Sequence, residues 1–393
     1  MPTAVLDLDA ERLPDEIALP SRYGHALILF RWKGKPVGQV TLTTREGKIS
    51  RDRIREAVAK QSAPILQQWL YDYLECDLRP AVQVQPATVA VCTRDRPADL
   101  SRCLVALSRL RDQGHEILVV DSASRTDEPR QVVAQFPQAR YVREERPGLD
   151  IARNRAMREA RHPIVAFTDD DAEPDSDWLY YLTQGFDDRR VLAVTGLTMP
   201  LELETPAQEW FERTNGFGRG FTRTVYNGTS HNPFWVAQIG AGVNMALRRE
   251  TVEMVGRFDE ALDAGTPTRS GGDHDMFIRI LMAGYSIVYE PAALNRHRHR
   301  REWEGLRDTI YGYGVGVYAH LTGHLLRNRE PSTLLLALGW LRDQIPSLFR
   351  ALLRRPDHVP LDLVFAELRG CVAGPRAYLT SRRALAQRVR EGG

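Results

Sequence analysis

Lysine is almost missing from this chain. Lys33, Lys35, Lys48 and Lys60 are all there are, and arginine makes up the rest of the 53 Lys and Arg side chains. A codon bias accounts for this as readily as a function does, although arginine's planar fork also suits bidentate phosphate recognition. The 51 acidic side chains leave a formal charge of only +2, which argues against duplex nucleic acid as the main partner. Cysteine is scarce too. Cys76, Cys92, Cys103 and Cys371 form no CxxC pair and no zinc-like spacing. Cys92 sits in an apolar run and Cys103 on a helical apolar face, so both read as core thiols of a reducing compartment. No apolar run reaches the length of a membrane span. The acidic start MPTAVLDLDAERLPDE has no signal-peptide core. The expected location is therefore cytoplasmic, where the sequon Asn227-Gly228-Thr229 has no role. No GxGxxG follows the first strand of the central zone and no GxxxxGK[ST] occurs, which excludes a nicotinamide-dinucleotide fingerprint and a P-loop.

Three zones are present instead. Residues 1–84 hold two strands around Lys33-Gly34-Lys35-Pro36, a hairpin signal. A helical stripe follows, running from Ile54 through Val58, Leu66, Trp69, Leu70 and Tyr73, with Ser50 as its N-cap candidate. This accessory unit carries no recognisable chemistry. Residues 85–301 alternate apolar strands with amphipathic helices. ATVAVCT is a strand, Pro97 opens a helix with Leu100, Cys103, Leu104 and Leu107 on one face, and EILVVD is the next strand. A helix to about Phe136, the strand ARYV, the helix GLDIARNRAMREA and the strand PIVAFTDDD follow. This rhythm predicts a parallel sheet covered on both faces. Residues 302–393 read as one or two amphipathic helices broken near Pro346, packed on the main domain or resting on a membrane surface or partner subunit.

Sheets of this kind bind ligands beyond the carboxyl ends of their strands. Thr93 closes the first strand of the zone, Asp121 the second, and Asp169, Asp170 and Asp171 the fourth, so several polar strand ends fall on one edge. Two carboxylates one residue apart at a rigid strand end suit Mg2+ or Mn2+, which takes oxygen ligands and shares them with substrate phosphates. An acidic turn capping the next helix, with Asp175 and Asp177, is the other reading.

Six segments occur in an order that resembles family 2 glycosyltransferases, the inverting group with a GT-A fold. They are VAVCTRDRPADLSRCLVAL, ILVVDSASRTD, RPGLDIARNRAM, FTDDDAEPDSDWL, IGAGVNMALRRE and SGGDHDMFIRILMAGYSIVYEP, and they cover roughly Ala87 to Arg300. The resemblance implies a GT-A, Rossmann-like, mostly parallel sheet. Thr93, Arg94 and Asp121 would meet the nucleobase, and Arg153 and Asn154 the nucleotide. Asp169 would face the ribose side, Asp170 would contact the donor or orient the loop, and Asp171 would bind the metal that bridges the donor's phosphates. Trp178, Gly242, Asn244, His274 and Asp275 would line the acceptor side.

Asp273 takes the position of the family's base, which removes the acceptor hydroxyl proton as the anomeric carbon is attacked. Gly272 stands where glutamate is common, a departure that bears on acceptor contacts. In RHRHRR, His297 and His299 alternate and would face opposite ways on an extended segment, so one of them would be a metal ligand, with His297 slightly favoured. For Arg153, a surface ion pair with Asp150 or Glu144 is the alternative. The aromatic, glycine-rich stretch Glu209 to Trp235 has no clean period, and its rings are either sugar platforms or core.

The implied function is an inverting, metal-dependent transfer from a nucleotide sugar, a UDP-sugar, to a glycan, lipid-linked or small-molecule acceptor. A catalytically inactive nucleotide-binding scaffold and a sugar-phosphate nucleotidyltransferase are the competing readings. CTRDRPADL lacks the glycine-rich basic loop of the latter.

Overall fold

A computed structural model describes residues 1–60, 85–111, 114–353 and 359–391. The N-terminal unit contains β1 (Thr3–Asp9), β2 (Glu16–Ala18), β3 (His25–Trp32), β4 (Lys35–Thr43), β5 (Lys48–Ser50) and α1 (Arg51–Lys60). The expected hairpin is β3–β4, paired antiparallel, with β1 parallel to β3 on its other side. Lys33 and Gly34 have φ of 47° and 81°, the doubly left-handed pair that matches the twist of the flanking strands. The stripe residues beyond Lys60, and Cys76, lie outside the described residues.

The central domain contains β6 (Ala87–Thr93), α2 (Pro97–Leu107), β7 (Glu116–Ser122), α3 (Glu128–Val133), β8 (Ala139–Glu144), α4 (Leu149–Glu159), β9 (Ile164–Asp169), β10 (Ala172–Pro174) and α5 (Trp178–Gln184). It continues with β11 (Val191–Pro200), α6 (Pro206–Asn215), β12 (Thr224–Asn227), β13 (Asn244–Arg248), α7 (Thr251–Met254), α8 (Gly272–Met282) and β14 (Ser286–His297). The sheet order is β10-β14-β11-β13-β9-β6-β7-β8, with β12 on β14. The sheet is mixed rather than wholly parallel. β6, β7, β8 and β9 run parallel, as do β11 and β14, while β13 is antiparallel to both β9 and β11. Together these features make the GT-A architecture.

Alternation along the strands feeds two cores. Val89 and Val91 pack with Leu100, Leu104 and Trp178 on one face, and Ala90, Leu118 and Phe167 with Met157 and Phe277 on the other. Both faces are buried, so the strands read as continuous apolar runs.

Three helices complete the chain: α9 (Trp303–Asn328), α10 (Ser332–Leu352) and α11 (Leu361–Glu391). The expected break at Pro346 does not occur, and α10 runs through it. Pro346 and Arg342, four residues before it, are both exposed, so the proline sits on the water-facing side of α10. The region is knitted to the domain, with Leu306, Ile310 and Leu363 sharing one core cluster with Ala207 and Phe211. No helix among the described residues is long and apolar enough to cross a membrane.

Candidate active site

The strand end that carries three aspartates sorts them by direction. β9 ends at Asp169 and the chain turns through Asp170 and Asp171, which leaves Asp170 outside the cluster its neighbours form. Asp170 accepts from Thr93 Oγ1 at 2.8 Å and from Arg96 Nη1 at 3.2 Å. Asp169 and Asp171 converge with His297, and one ligand atom from each lies within 4.8 Å of the others. β10 pairs with β14 so that Ala172 faces His297, and Arg298 N bonds Asp171 O at 2.9 Å. The register of these strands therefore brings the histidine to the acids. Arg96 and Arg300 reach Asp171 Oδ2 at 3.0 and 3.3 Å.

His299 does not face away from His297, as alternation predicts. The strand ends at His297, the chain turns, and the two Nδ1 atoms lie 3.1 Å apart. His299 Nε2 sits 3.0 Å from Glu212 Oε2. Phe211 and Phe217 pack against these imidazoles, with ring centroids 4.4 and 5.3 Å from His299 and His297 respectively. Two rings of the aperiodic stretch are thus core, whereas Trp235 is 57% exposed.

Burial and the charge of Asp171 push Asp170 up to about 7. Burial also raises Asp171, but His297, Arg96 and Arg300 outweigh it and hold that carboxyl well below the usual range. Burial, then the charge of His297, keeps His299 well below the ordinary imidazole value. A neutral His299 has one N–H. If that N–H points at Glu212, His299 Nδ1 is left to accept from His297 Nδ1–H, and His297 Nε2 is the nitrogen that faces the acids, 3.2 Å from Asp171 Oδ1. Two carboxylates and one imidazole nitrogen form a donor set that fits Mn2+ or Mg2+ with positions left for phosphate oxygens.

Asp273 stands in the first turn of α8. Its Oδ2 accepts from Gly242 N at 2.7 Å and its Oδ1 from His274 N at 2.8 Å. Burial raises its pKa, but His274, Arg153 and the two N–H donors outweigh this and lower it, leaving a carboxylate at neutral pH. Asn244, two residues after Gly242, pairs with Thr168 on β9, so Asp273 and the acidic strand end share one edge of the sheet.

Arg153 is buried, and its partners are Asp150 Oδ1 at 2.9 Å and Asp263 Oδ2 at 2.7 Å. The alternative ion pair with Asp150 is present, but it lies in the interior rather than on the surface. Asp150 is fully buried with Oδ2 unpartnered. That carboxylate fills the space where a side chain at 272 would start, because a Cβ on Gly272 would overlap it. Asn154 turns to the loop after α7, exchanging hydrogen bonds with the backbone of Phe258 at 2.9 and 3.0 Å.

Several other expected site residues have interior partners. Trp178 Nε1 donates to Asn244 Oδ1 at 2.8 Å, and Asn244 Nδ2 bonds Leu197 O and Ala293 O at 2.9 Å each. Both side chains are fully buried and fasten α5, β11, β13 and β14 together. Asp275 is also fully buried, paired with Arg279 at 2.8 Å and Arg327 at 2.7 Å, and it ties α8 to α9. His274 stacks edge-on to His320. Asp121 is buried beneath the β7 end, with Ser124 N, Tyr141 Oη and Arg143 on its oxygens at 2.9, 2.6 and 3.2 Å. Arg94 is exposed at the rim above it.

Arg96, Glu212 and Asp263 are the components that sequence reasoning left without a role. Arg96 was legible in CTRDRP as an arginine next to a strand end. The other two meet the site through tertiary contacts with no local signal.

Residues 88–256 match the model of glycosyl transferase family 2. They belong to that family. The chain is 28% identical over 231 residues to a pre-mycofactocin glycosyltransferase of Mycobacterium tuberculosis, covering 57% of this chain and 46% of the relative. It is 26% identical over 222 residues to glycosyltransferase AglE of Haloferax volcanii, covering 54% and 67%. The chain thus matches about half the length of the mycobacterial relative. Among solved structures it is similar to a mannosyltransferase from Pyrobaculum calidifontis in complex with GDP-Man and Mn2+. That match has 21% identity and a TM-score of 0.46, and covers 86% of both chains.

Proposed function

We propose that this protein is an inverting, metal-dependent glycosyltransferase that moves a sugar from a nucleoside-diphosphate sugar, a UDP-sugar, to an acceptor hydroxyl. The observation that carries the reading is the sharing of one sheet edge by a three-ligand cluster, Asp169, Asp171 and His297, and a hydrogen-bonded carboxylate, Asp273.

Asp169, Asp171 and His297 would hold Mn2+ or Mg2+, and the cation supplies charge to the departing diphosphate. Arg96 and Arg300 are released from Asp171 to phosphate oxygens when the donor enters. Thr93, Arg94 and Asp121 frame the nucleobase end. Asp273, fixed by two N–H donors, keeps lone pairs for the acceptor hydroxyl and takes its proton as the oxygen attacks the anomeric carbon. The nucleoside diphosphate leaves from the opposite face, so one carboxylate suffices and the configuration inverts. Arg153, clamped by Asp150 and Asp263, keeps a fixed positive charge beside the base.

A thermal-shift screen of nucleotide sugars with and without Mn2+ tests the donor side. Saturation at 100 Kd stabilises the folded state by about 2.7 kcal/mol, and Asp171→Ala should remove the Mn2+-dependent shift with UDP. An unchanged titration in that variant overturns the metal assignment. Product NMR tests the chemistry, and retained anomeric configuration refutes single displacement. Mn2+-dependent UDP binding with no turnover of any donor favours the inactive scaffold.

A further inference from the structure

The C-terminal helices expose two stripes that the transfer reaction does not use. On α10, Leu334, Leu338, Leu341, Ile345, Phe349 and Leu352 are all 41–63% exposed. At about 100° per residue they fall within an arc of about 80°. The opposite side of α10 is the one that packs, where Thr333 and Ala351 are buried and Trp340 meets Tyr318 edge-on. The helix therefore has apolar side chains on both sides, and the outer set meets water.

On α11 the exposed face alternates apolar and cationic side chains. Phe365, Val372 and Leu379 recur every seven residues and are 50%, 82% and 41% exposed. Arg369, Arg376 and Arg383 recur at the same interval between them, all exposed. These arginines have no hydrogen-bond or ion-pair partner among the described residues. Of the acids of α11, Asp362 accepts from Trp303 Nε1 at 2.7 Å and Glu367 lies about 160° around the helix from Arg369. A groove of 740 Å³ runs along this stripe, bounded by Arg369, Val372 and Arg376 and, across from them, by Tyr311 and Pro267. A second, of 640 Å³, shares Tyr311 and Arg369 and adds three cationic or apolar side chains, Arg269, Arg307 and Phe365, with two acids, Asp308 and Asp362.

We infer that α10 and α11 form a docking face for an anionic phospholipid surface. Large apolar side chains at helical spacing bury in the acyl boundary, and arginines between them pair with headgroup phosphates. Charge decides against the other occupants. Self-association through α11 would set guanidiniums against guanidiniums, and a nucleic acid would answer the arginines but leave the leucine stripe of α10 in water. The face works without any donor or acceptor, so its test is independent of the transfer reaction.

The full chain is sedimented with vesicles of phosphatidylcholine alone and of phosphatidylcholine with 30% phosphatidylglycerol, the probe composition being about three parts in ten anionic lipid. Binding to the anionic vesicles is expected, with little to the neutral ones. Each arginine near such a surface is worth about fivefold in partitioning. Arg369→Glu/Arg376→Glu should therefore lower binding at least about 25-fold, and Leu338→Asp/Phe349→Asp should abolish it. All four positions are exposed, and unchanged thermal unfolding and unchanged UDP binding report that both variants are folded. The inference is overturned if wild type binds neither vesicle, if it binds both equally, or if both variants bind like wild type. It also falls, in favour of a second copy, if light scattering shows a dimer that Leu338→Asp/Phe349→Asp makes monomeric while vesicle binding is absent.

Discussion

Replacing Gly272 by alanine should destabilise the protein, which reverses the usual sign of the substitution. Gly272 lies in the first turn of α8, and the left-handed backbone belongs to its neighbour Gly271, with φ of 104°. In an ordinary helical position, glycine to alanine gains up to about 1 kcal/mol. Here the new methyl group overlaps the Asp150 carboxylate, which is fully buried and held by Arg153. Moving that carboxyl, which burial and Asp263 push well above the usual range while Arg153 pulls it down, breaks a buried hydrogen-bonded pair, worth about 3–5 kcal/mol when one partner is removed. Arg153 keeps Asp263 at 2.7 Å, so the lower end applies, and subtracting the helix gain leaves a net loss of about 2–3 kcal/mol. At about 2 °C per kcal/mol for a long chain, the expected fall in Tm is roughly 4–6 °C. The assay is thermal and urea unfolding of Gly272→Ala, Asp150→Ala and the double variant. The double variant should be no less stable than Asp150→Ala alone, a coupling of about 2 kcal/mol. A stabilised Gly272→Ala, or strictly additive losses, would refute the packing of Asp150 into the place of a side chain at 272.

Other expectations concern the site and its pH response. Asp273→Asn should leave Mn2+-dependent UDP binding intact and cut transfer by orders of magnitude, and near-wild-type turnover would remove Asp273 from the mechanism. His299→Gln should weaken Mn2+ binding about 10- to 100-fold by loosening His297, read by titration, with an unchanged Kd counting against the relay from Glu212. Asp275→Asn should cost about 3–5 kcal/mol in urea unfolding at pH 7. Burial raises the Asp275 carboxyl, but Arg279, His324 and Arg327 hold it far below the usual range. Its contribution is therefore present above the unfolded value near 4 and lost as pH falls below it. Burial pushes Glu367 the other way, up to about 7. Stability falls as pH rises from about 4 through that value, so Glu367→Gln should raise Tm at pH 8 and leave it unchanged at pH 4.

Much of the fold was legible because it is written in local periods. ATVAVCT is β6 to the residue, Pro97 opens α2, and the Lys33-Gly34 turn joins β3 to β4. What failed was what depends on distant pairing. The antiparallel β13 has no signal of direction in NMALR, because strand direction is set by the partner and not by the side chains. His299 turns back to His297 because the strand stops, and strand ends are the least legible boundaries. Arg153 and Asp150 were visible as a pair three residues apart on a helix, but their burial comes from Asp263, more than a hundred residues on. Trp178 and Asn244 lie in segments that resemble a family site, yet they hold one another in the interior. A motif marks where a segment sits in the fold more reliably than which way each side chain in it points.

The N-terminal hairpin meets the catalytic domain at a sensitive place. Leu27 and Leu29 pack with Leu197 and Met199 of β11, with Leu203 beyond it and with Leu294 of β14, the strand that ends at His297. Arg31 grips Asp175 at 2.6 Å, just past the acidic strand end, and Arg296, beside His297, bonds Asp7 at 2.5 Å. The region that matches the family, residues 88–256, is thus shorter than the unit that packs together. Cut down to residues 88–256, the protein would lose β14 with His297, the helix bearing Asp273 and the outer wall that holds Asp175 in register. Inheritance and folding draw their borders in different places here, and the accessory unit with no chemistry of its own serves as the abutment for the strand that has it.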